Sequence, residues 1–471
     1  MGKLIKKLGA FSLGPIMAAI IGCITVPIIT YFISPEEYGK ASMFTLAQGI
    51  ASMLVYFGLD QAFVREFNRY RDNISELLSN AIFIPLCVTI IMGVAIIINS
   101  HFISKVLFGT ENEVLAVYML GIMLPFMAIE NFSFLKIRME EKGLIYSCTT
   151  ILLKLLVLAI TVLLFITYEK SFRSVVYAMA LAEIINGCML FITVILPLKL
   201  RLKYVNSTLI KSMLKFGIPL IPAMMMSWIL ASMDKVMLRA LCGYEELGLY
   251  TAAYKIVSAL SIIQSCFTLF WTPVAYRWNE ENVAKENYYF VNVVMSIGMT
   301  MLCLMLLIVK NIVGIVLGKS FVEAIYIFPF LLLYPVMYTM SETTAIGIGF
   351  SRKTQYSIVV SGIACLVNII LNYKLIPIWG GAGAAMATGI AFIVFFWVRT
   401  LISRKVWWNF SISIYIPISI VLIINCYVHT FFSGKLPYIV SIASIFFVLI
   451  INIKSIKVLI ENIRKRKELE E

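Results

Sequence analysis

Three glutamates and two lysines of this chain lie inside apolar runs: Glu130, Glu183 and Glu342, with Lys154 and Lys255. A charge inside a membrane-length apolar run is costly, so it faces a partner or a water-filled cavity. The lysines suit an anionic ligand, and the carboxylates suit a proton or a sodium ion. Lys154 and Glu183 fall in consecutive runs and are placed to pair. An interior salt bridge that only fixes helix packing has the same signature. Asp234, Lys235 and Arg239 form a charged group at the end of one run, and Asp60 and Arg65 follow the end of another. Side chains at such ends also reach the interface by snorkelling. The candidate ligand contacts are therefore Lys154, Lys255, Arg65, Lys235 and Arg239. The candidates for ion coupling or charge pairing are Glu130, Glu183, Asp234, Glu342 and Asp60.

Signatures of enzyme chemistry are missing. The segment Gly314 to Ser320 approaches a phosphate-binding loop, but has three residues between its glycines where four are needed. Only three aspartates occur, at 60, 72 and 234, so no paired-aspartate metal-nucleotide motif exists. The nine cysteines contain no CxxC, and His101 and His429 are far apart. No catalytic residue, metal site or cofactor is expected; coupling to an H+ or Na+ gradient is the one energetic accessory the carboxylates suggest.

The elements that carry these charges are membrane spans. Hydrophobic residues make up 61% of the 471 and charged residues 14%, far from the balance of a soluble protein. Mean hydropathy is +0.94. Stretches of about 20 apolar residues recur fourteen times, near 8–33, 40–59, 79–100, 114–135, 145–167, 174–197, 213–234, 248–274, 289–309, 321–345, 354–373, 381–402, 411–429 and 436–453. With the N-terminus in the cytoplasm, 27 of the 39 Lys and Arg fall on the cytoplasmic side and 10 outside. That bias obeys the positive-inside rule and puts both termini in the cytoplasm, including the tail Arg464, Lys465, Arg466, Lys467. The net charge of +14 then reflects topology, and no nucleic-acid partner is expected.

The chain also repeats itself weakly. Leu4-Ile5-Lys6 and Phe11 recur as Leu209-Ile210-Lys211 and Phe216; Glu36-Glu37-Tyr38-Gly39 recurs as Glu245-Glu246-Leu247-Gly248, 209 residues on. Six spans separate the copies, so both run in the same direction, as in a parallel repeat. The expected fold is an all-α polytopic membrane protein of about 14 helices. Its expected divisions are a six-helix lobe at 1–200, a second at 201–405, and a hairpin with a basic tail at 406–471. The run Gly380-Gly381-Ala382-Gly383-Ala384-Ala385 has the small-residue spacing of close helix packing.

Certain segments resemble a known family. They are Glu37-Tyr38-Gly39 through Gly58-Leu59-Asp60 to Arg65, Asp234-Lys235 through Glu245-Glu246 to Tyr254-Lys255, and Pro377-Ile378-Trp379-Gly380-Gly381. The chain is similar to Wzx-type polysaccharide (O-antigen or capsule repeat-unit) flippases, within the MOP superfamily of multidrug, oligosaccharidyl-lipid and polysaccharide exporters. The resemblance implies two six-helix lobes around a cationic cavity. It implies translocation of undecaprenyl-pyrophosphate-linked oligosaccharide to the outer leaflet of a bacterial cytoplasmic (inner) membrane. A polymerase and a chain-length regulator of the same pathway are the implied partners. Gln48, Asn131, Asn186, Gln264 and Asn292 are then candidate sugar contacts. The family's lipid II branch carries arginines along its first two helices; here the first span has none, which argues against lipid II. A MATE-like H+/Na+-coupled drug antiporter is the alternative, and a membrane oligosaccharide polymerase the further alternative. The absence of a large outer loop argues against the polymerase.

Overall fold

A computed structural model describes residues 2–198, 204–351, 353 and 355–453; the expected basic tail Arg464 to Lys467 lies outside them. The described residues form helices joined by short turns, with no strand among them. The helices divide into two compact units, Met1–Ser232 and Met233–Glu471.

The first unit holds α1 (Gly2–Phe32), α2 (Pro35–Val55), α3 (Leu59–Glu66), α4 (Ile74–Ile98), α5 (Ser100–Phe108), α6 (Val114–Met139), α7 (Gly143–Thr167), α8 (Phe172–Leu190), α9 (Ser207–Gly217) and the first half of α10 (Ile221–Leu241). Each long helix is an apolar run ended by turn chemistry. Pro35 starts α2 behind a Ser34 cap on the Glu37 amide, an arrangement that satisfies an orphan N–H. Gly109, at a φ of 79°, ends α5 in the left-handed conformation that glycine adopts cheaply. Inside the unit α1 packs on α7, α4 on α6, and α6 and α7 on α8.

The second expected span is not straight. Between α2 and α3 the chain turns by 55°, where Phe57 and Gly58 both have positive φ. A Cβ on Gly58 would lie 2.5 Å from the Gly217 carbonyl oxygen, and one on Gly217 would lie 2.6 Å from that of Phe57. The two glycines thus let the α2–α3 bend and the end of α9 meet backbone to backbone. Beside them the Arg65 guanidinium lies 4.4 Å over the Phe216 ring.

The second unit continues with α11 (Tyr244–Ser258), α12 (Ser261–Glu280), α13 (Lys285–Ile308), α14 (Asn311–Leu317), α15 (Ala324–Leu331), α16 (Leu333–Thr344), α17 (Ile346–Phe350), α18 (Gln355–Val406), α19 (Tyr415–Phe431) and α20 (Leu436–Ile451). α18 has 52 residues, about 78 Å of helix and over twice a bilayer's hydrocarbon. It breaks at Trp379 and Gly380, whose φ of 50° leaves the helical region. The small residues after the break serve contact. A Cβ on Gly389 would stand 2.7 Å from the Phe330 carbonyl oxygen. Lys310, just past α13, donates to the His429 carbonyl near the end of α19, and its burial pushes the ammonium down to about 8.

Among the described residues, nine helices are long and apolar enough to cross a membrane, or up to eleven if each of two bent pairs is one span. Fourteen apolar stretches are visible in the sequence. Several causes separate the counts. Two expected spans are broken by bends of 55° and 43°. The 52-residue α18 counts once although it is kinked. The last two stretches are helical over only 17 and 16 residues.

The sequence repeat has a structural counterpart. In the first unit the Glu37 carboxylate accepts from the Phe172 amide, at the start of α8. In the second, Glu246 accepts from the Gly381 amide at 2.6 Å, at the restart of α18. Both pairs are 135 residues apart, so the offset of 209 that relates the glutamates also relates their partners. Each carboxylate neutralises the positive end of a helix.

Candidate functional site

In the first unit, charges gather where α2, α6, α7 and α8 meet. Glu130 on α6 is 8% exposed. Its electrostatic neighbours are Glu183 and Asn186 on α8 and Lys154 on α7. The Gln48 amide, from α2, donates to Glu183 at 2.9 Å. Lys154 and Glu183 therefore do not form the pair that their neighbouring spans suggest; Gln48, distant in sequence, takes that place. Asn186 is fully buried; among the described residues neither of its amide atoms, nor Oε2 of Glu130 or Nδ2 of Asn131, has a hydrogen-bond partner at normal geometry. Burying polar atoms without partners is expensive. Two adjacent carboxylates in a low-dielectric core add repulsion, so the cluster suits a positive occupant. Lys154 itself is exposed, eleven residues into α7 and about 17 Å along it.

Asp60 and Arg65 sit apart from this cluster, on α3. Asp60 is buried, and its Oδ2 accepts from Gln61 at 2.7 Å. Arg65 is exposed and stacked on Phe216, with Glu66 3.6 Å away. Outside this cluster an ion pair joins the start of α8 to the residue before α6. Arg173 donates to both Glu113 oxygens at 2.7 Å.

In the second unit, Asp234 is 2% exposed. It accepts from the Tyr250 hydroxyl, which lies 3.4 Å from Thr388 Oγ1. Asn368 donates to Thr388 Oγ1 at 3.3 Å and Asn372 donates to Asn368 at 3.0 Å. This chain joins α10, α11 and both halves of α18. Only Asp234 was visible as a candidate, because the uncharged partners look like ordinary span residues. The Lys235 ammonium lies 4.3 Å from the Tyr254 ring centre. Arg239 stacks 4.0 Å over Tyr244. Lys255 is exposed on α11.

Glu342 has a partner that the sequence hid. Arg399 donates to it and to Ser341, each at 2.7 Å, and Thr268 reaches the other Glu342 oxygen at 3.4 Å. Among the described residues no group of three His, Cys, Asp or Glu is arranged to hold a metal ion.

The family described as "Polysaccharide biosynthesis protein" matches residues 4–278, more than half of the chain. No curated protein matches the chain in sequence. Among solved structures, the fold is similar to that of a lipid II flippase, MurJ, in an inward closed conformation. The TM-score is 0.68 at 17% identity, covering 95% of this chain and 99% of that one. An inward-facing multidrug resistance MATE family transporter of the MOP superfamily gives 0.60 at 15% identity, over 82% and 94% of the two chains. An outward-facing one gives 0.56 at 14%, over 85% and 95%. At these identities the likeness is one of fold.

Proposed function

The chain belongs to the polysaccharide biosynthesis protein family, and we propose that it is a flippase. Its substrate is an undecaprenyl-pyrophosphate-linked oligosaccharide repeat unit, carried from the cytoplasmic to the outer leaflet by alternating access for O-antigen or capsule assembly. The observation that carries this reading is Lys154, exposed near the middle of an apolar α7. An ammonium at that depth cannot face lipid cheaply, whereas a diphosphate needs such a charge to cross a low-dielectric core. Lys255 and Lys235 offer the same in the second unit, with Arg239 and Arg65 as outlying cations.

The reading includes fourteen crossings of the bacterial inner membrane with both termini cytoplasmic, arranged as two six-helix lobes and a hairpin. It needs no enzymatic step, and it delivers substrate to a polymerase and its chain-length regulator. Coupling belongs to the carboxylates. The cluster of Glu130, Glu183 and Asn186, with its unmatched buried atoms, is our choice for a proton or sodium ion, and Asp234 is the candidate in the second unit. That same cluster favours the second reading, a MATE-like ion-coupled drug antiporter.

Leaflet location tests the choice. In a strain lacking this protein, lipid-linked oligosaccharides isolated from spheroplasts should stay inaccessible to an impermeant glycan-binding lectin until lysis. Lys154→Ala should reproduce the defect at normal protein levels, and Lys154→Arg should restore export. Repeat units that reach the outer leaflet normally without the protein would sink the flippase reading and favour the antiporter.

A further inference from the structure

We propose that a tyrosine platform on the second unit, built from Tyr254, Tyr334 and Tyr338 over Phe392 and Phe395, binds the sugar rings of a lipid-linked glycan. The proposal rests on the flippase reading and names the part of the substrate this face takes.

The platform is continuous. Tyr254 and Tyr334 have ring centres 6.1 Å apart and planes within 8°. Tyr334 meets Phe392 at 4.6 Å, Phe392 meets Phe395 at 5.8 Å, and Phe395 lies 5.4 Å from Tyr338 at 15°. The spacing puts each set on one helix stripe. Tyr334, Tyr338 and Glu342 are four apart on α16, and Phe392, Phe395 and Arg399 are three and four apart on α18.

Depth and charge say what this face meets. Tyr254 is ten residues into α11 and Tyr334 ten residues past the start of α15, each about 15 Å in and so near mid-membrane. All three tyrosines are half-buried, whereas Val336 and Met337 between them on α16 are fully buried. Cations flank the rings: Lys235 at 4.3 Å from Tyr254, and Arg399 at 5.8 Å from Tyr338 and 5.5 Å from Phe395. Phenols at this depth do not face hydrocarbon.

The occupant follows from chemistry. The prenyl tail of such a substrate stays in lipid, and the diphosphate seeks ammonium groups. What remains is the glycan. One face of a pyranose is a sheet of C–H bonds that packs on an electron-rich ring, and its rim of hydroxyls meets the tyrosine hydroxyls and the guanidinium.

The test uses the full chain in lipid nanodiscs and two probes: farnesyl diphosphate, and the same lipid carrying an N-acetylhexosamine disaccharide. Calorimetric titration should find the glycosylated probe about tenfold tighter on the wild type, the scale of one or two aromatic contacts. Tyr254→Leu with Tyr334→Leu should abolish that preference; because Lys235 lies over Tyr254, the readout is the ratio of the two affinities and not farnesyl diphosphate binding itself. Tyr254→Phe with Tyr334→Phe, which keeps the rings, should retain most of it. If the leucine pair does not fold, Tyr338→Leu alone should still lower the preference. A folded leucine variant with the full wild-type preference overturns the platform. A wild type that binds both probes equally also overturns it, while the flippase reading stands. A wild type that binds neither removes the flippase reading itself.

Discussion

Arg399 and Glu342 make the sharpest case at the scale of single residues. Their side chains are 23% and 12% exposed and their atoms 2.7 Å apart. Removing one member of a half-buried pair strands a charge, at a cost between the roughly 1 kcal/mol of a surface pair and the roughly 3–5 kcal/mol of a fully buried one. Arg399→Ala and Glu342→Ala should therefore each lower thermal stability strongly, and the double substitution should cost much less than their sum. Melting of the four proteins in a double-mutant cycle reads this directly; additive losses would show that the two side chains act independently. Glu342 was legible in the sequence because it interrupts an apolar run. Arg399 was not, because it lies three residues from the end of its run and close to Arg404 and Lys405, where a cytoplasmic loop charge is the simpler reading. The same limit explains Lys154 and Glu183. Chain neighbourhood suggested a pair, but the hydrogen bond to Glu183 comes from Gln48, 135 residues away.

Helix ends show what the repeat contributes at the scale of elements. Glu37 and Glu246 hold the starts of α8 and the second half of α18 through one backbone amide each. A hydrogen bond from an amide to a carboxylate contributes about 1.5–3 kcal/mol, more where the helix dipole adds to it. Glu37→Ala and Glu246→Ala should accordingly destabilise by similar amounts, and the Gln variants, which keep an accepting oxygen, by less. Unequal effects in denaturation would mean that the two contacts are not equivalent. The glutamates were legible from a four-residue motif. Their partners, Phe172 and Gly381, share no side-chain identity, because the contact uses a backbone N–H that any residue but proline supplies. Gly380 is different: a Cβ there would sit 2.6 Å from the Glu246 carboxylate, so the glycine is required by the contact that its neighbour makes.

For the whole molecule, hydropathy told where helices lie but not how often they cross. A window of apolar residues does not see that Gly58 meets Gly217, since that bend depends on a partner over 150 residues away. The uncertain crossings can be counted by parity. Between Glu111, after α5, and Asn282, after α12, lie the spans of α6, α7 and α8, the bent pair α9–α10, and the continuous run of α11 and α12. If the bent pair crosses, the number is odd and the two positions face opposite sides; if it does not, they share a side. In a background without the nine native cysteines, Glu111→Cys should react with a membrane-impermeant maleimide added to intact spheroplasts, and Asn282→Cys should react only after lysis. In the proposed orientation, with both termini cytoplasmic, Glu111 is the outside one, so reaction of both from outside would remove the α9–α10 crossing. Reaction of Asn282→Cys alone would invert the whole orientation. The same reasoning applies to Lys353 and Lys435, separated by kinked α18 and short α19. If α18 crosses twice and α19 once, as in the proposed topology, they lie on opposite sides. Seventeen residues of α19 give about 25 Å of helix, enough to cross with slight thinning of a bilayer near 30 Å thick, so Lys435→Cys should label from outside while Lys353→Cys stays protected.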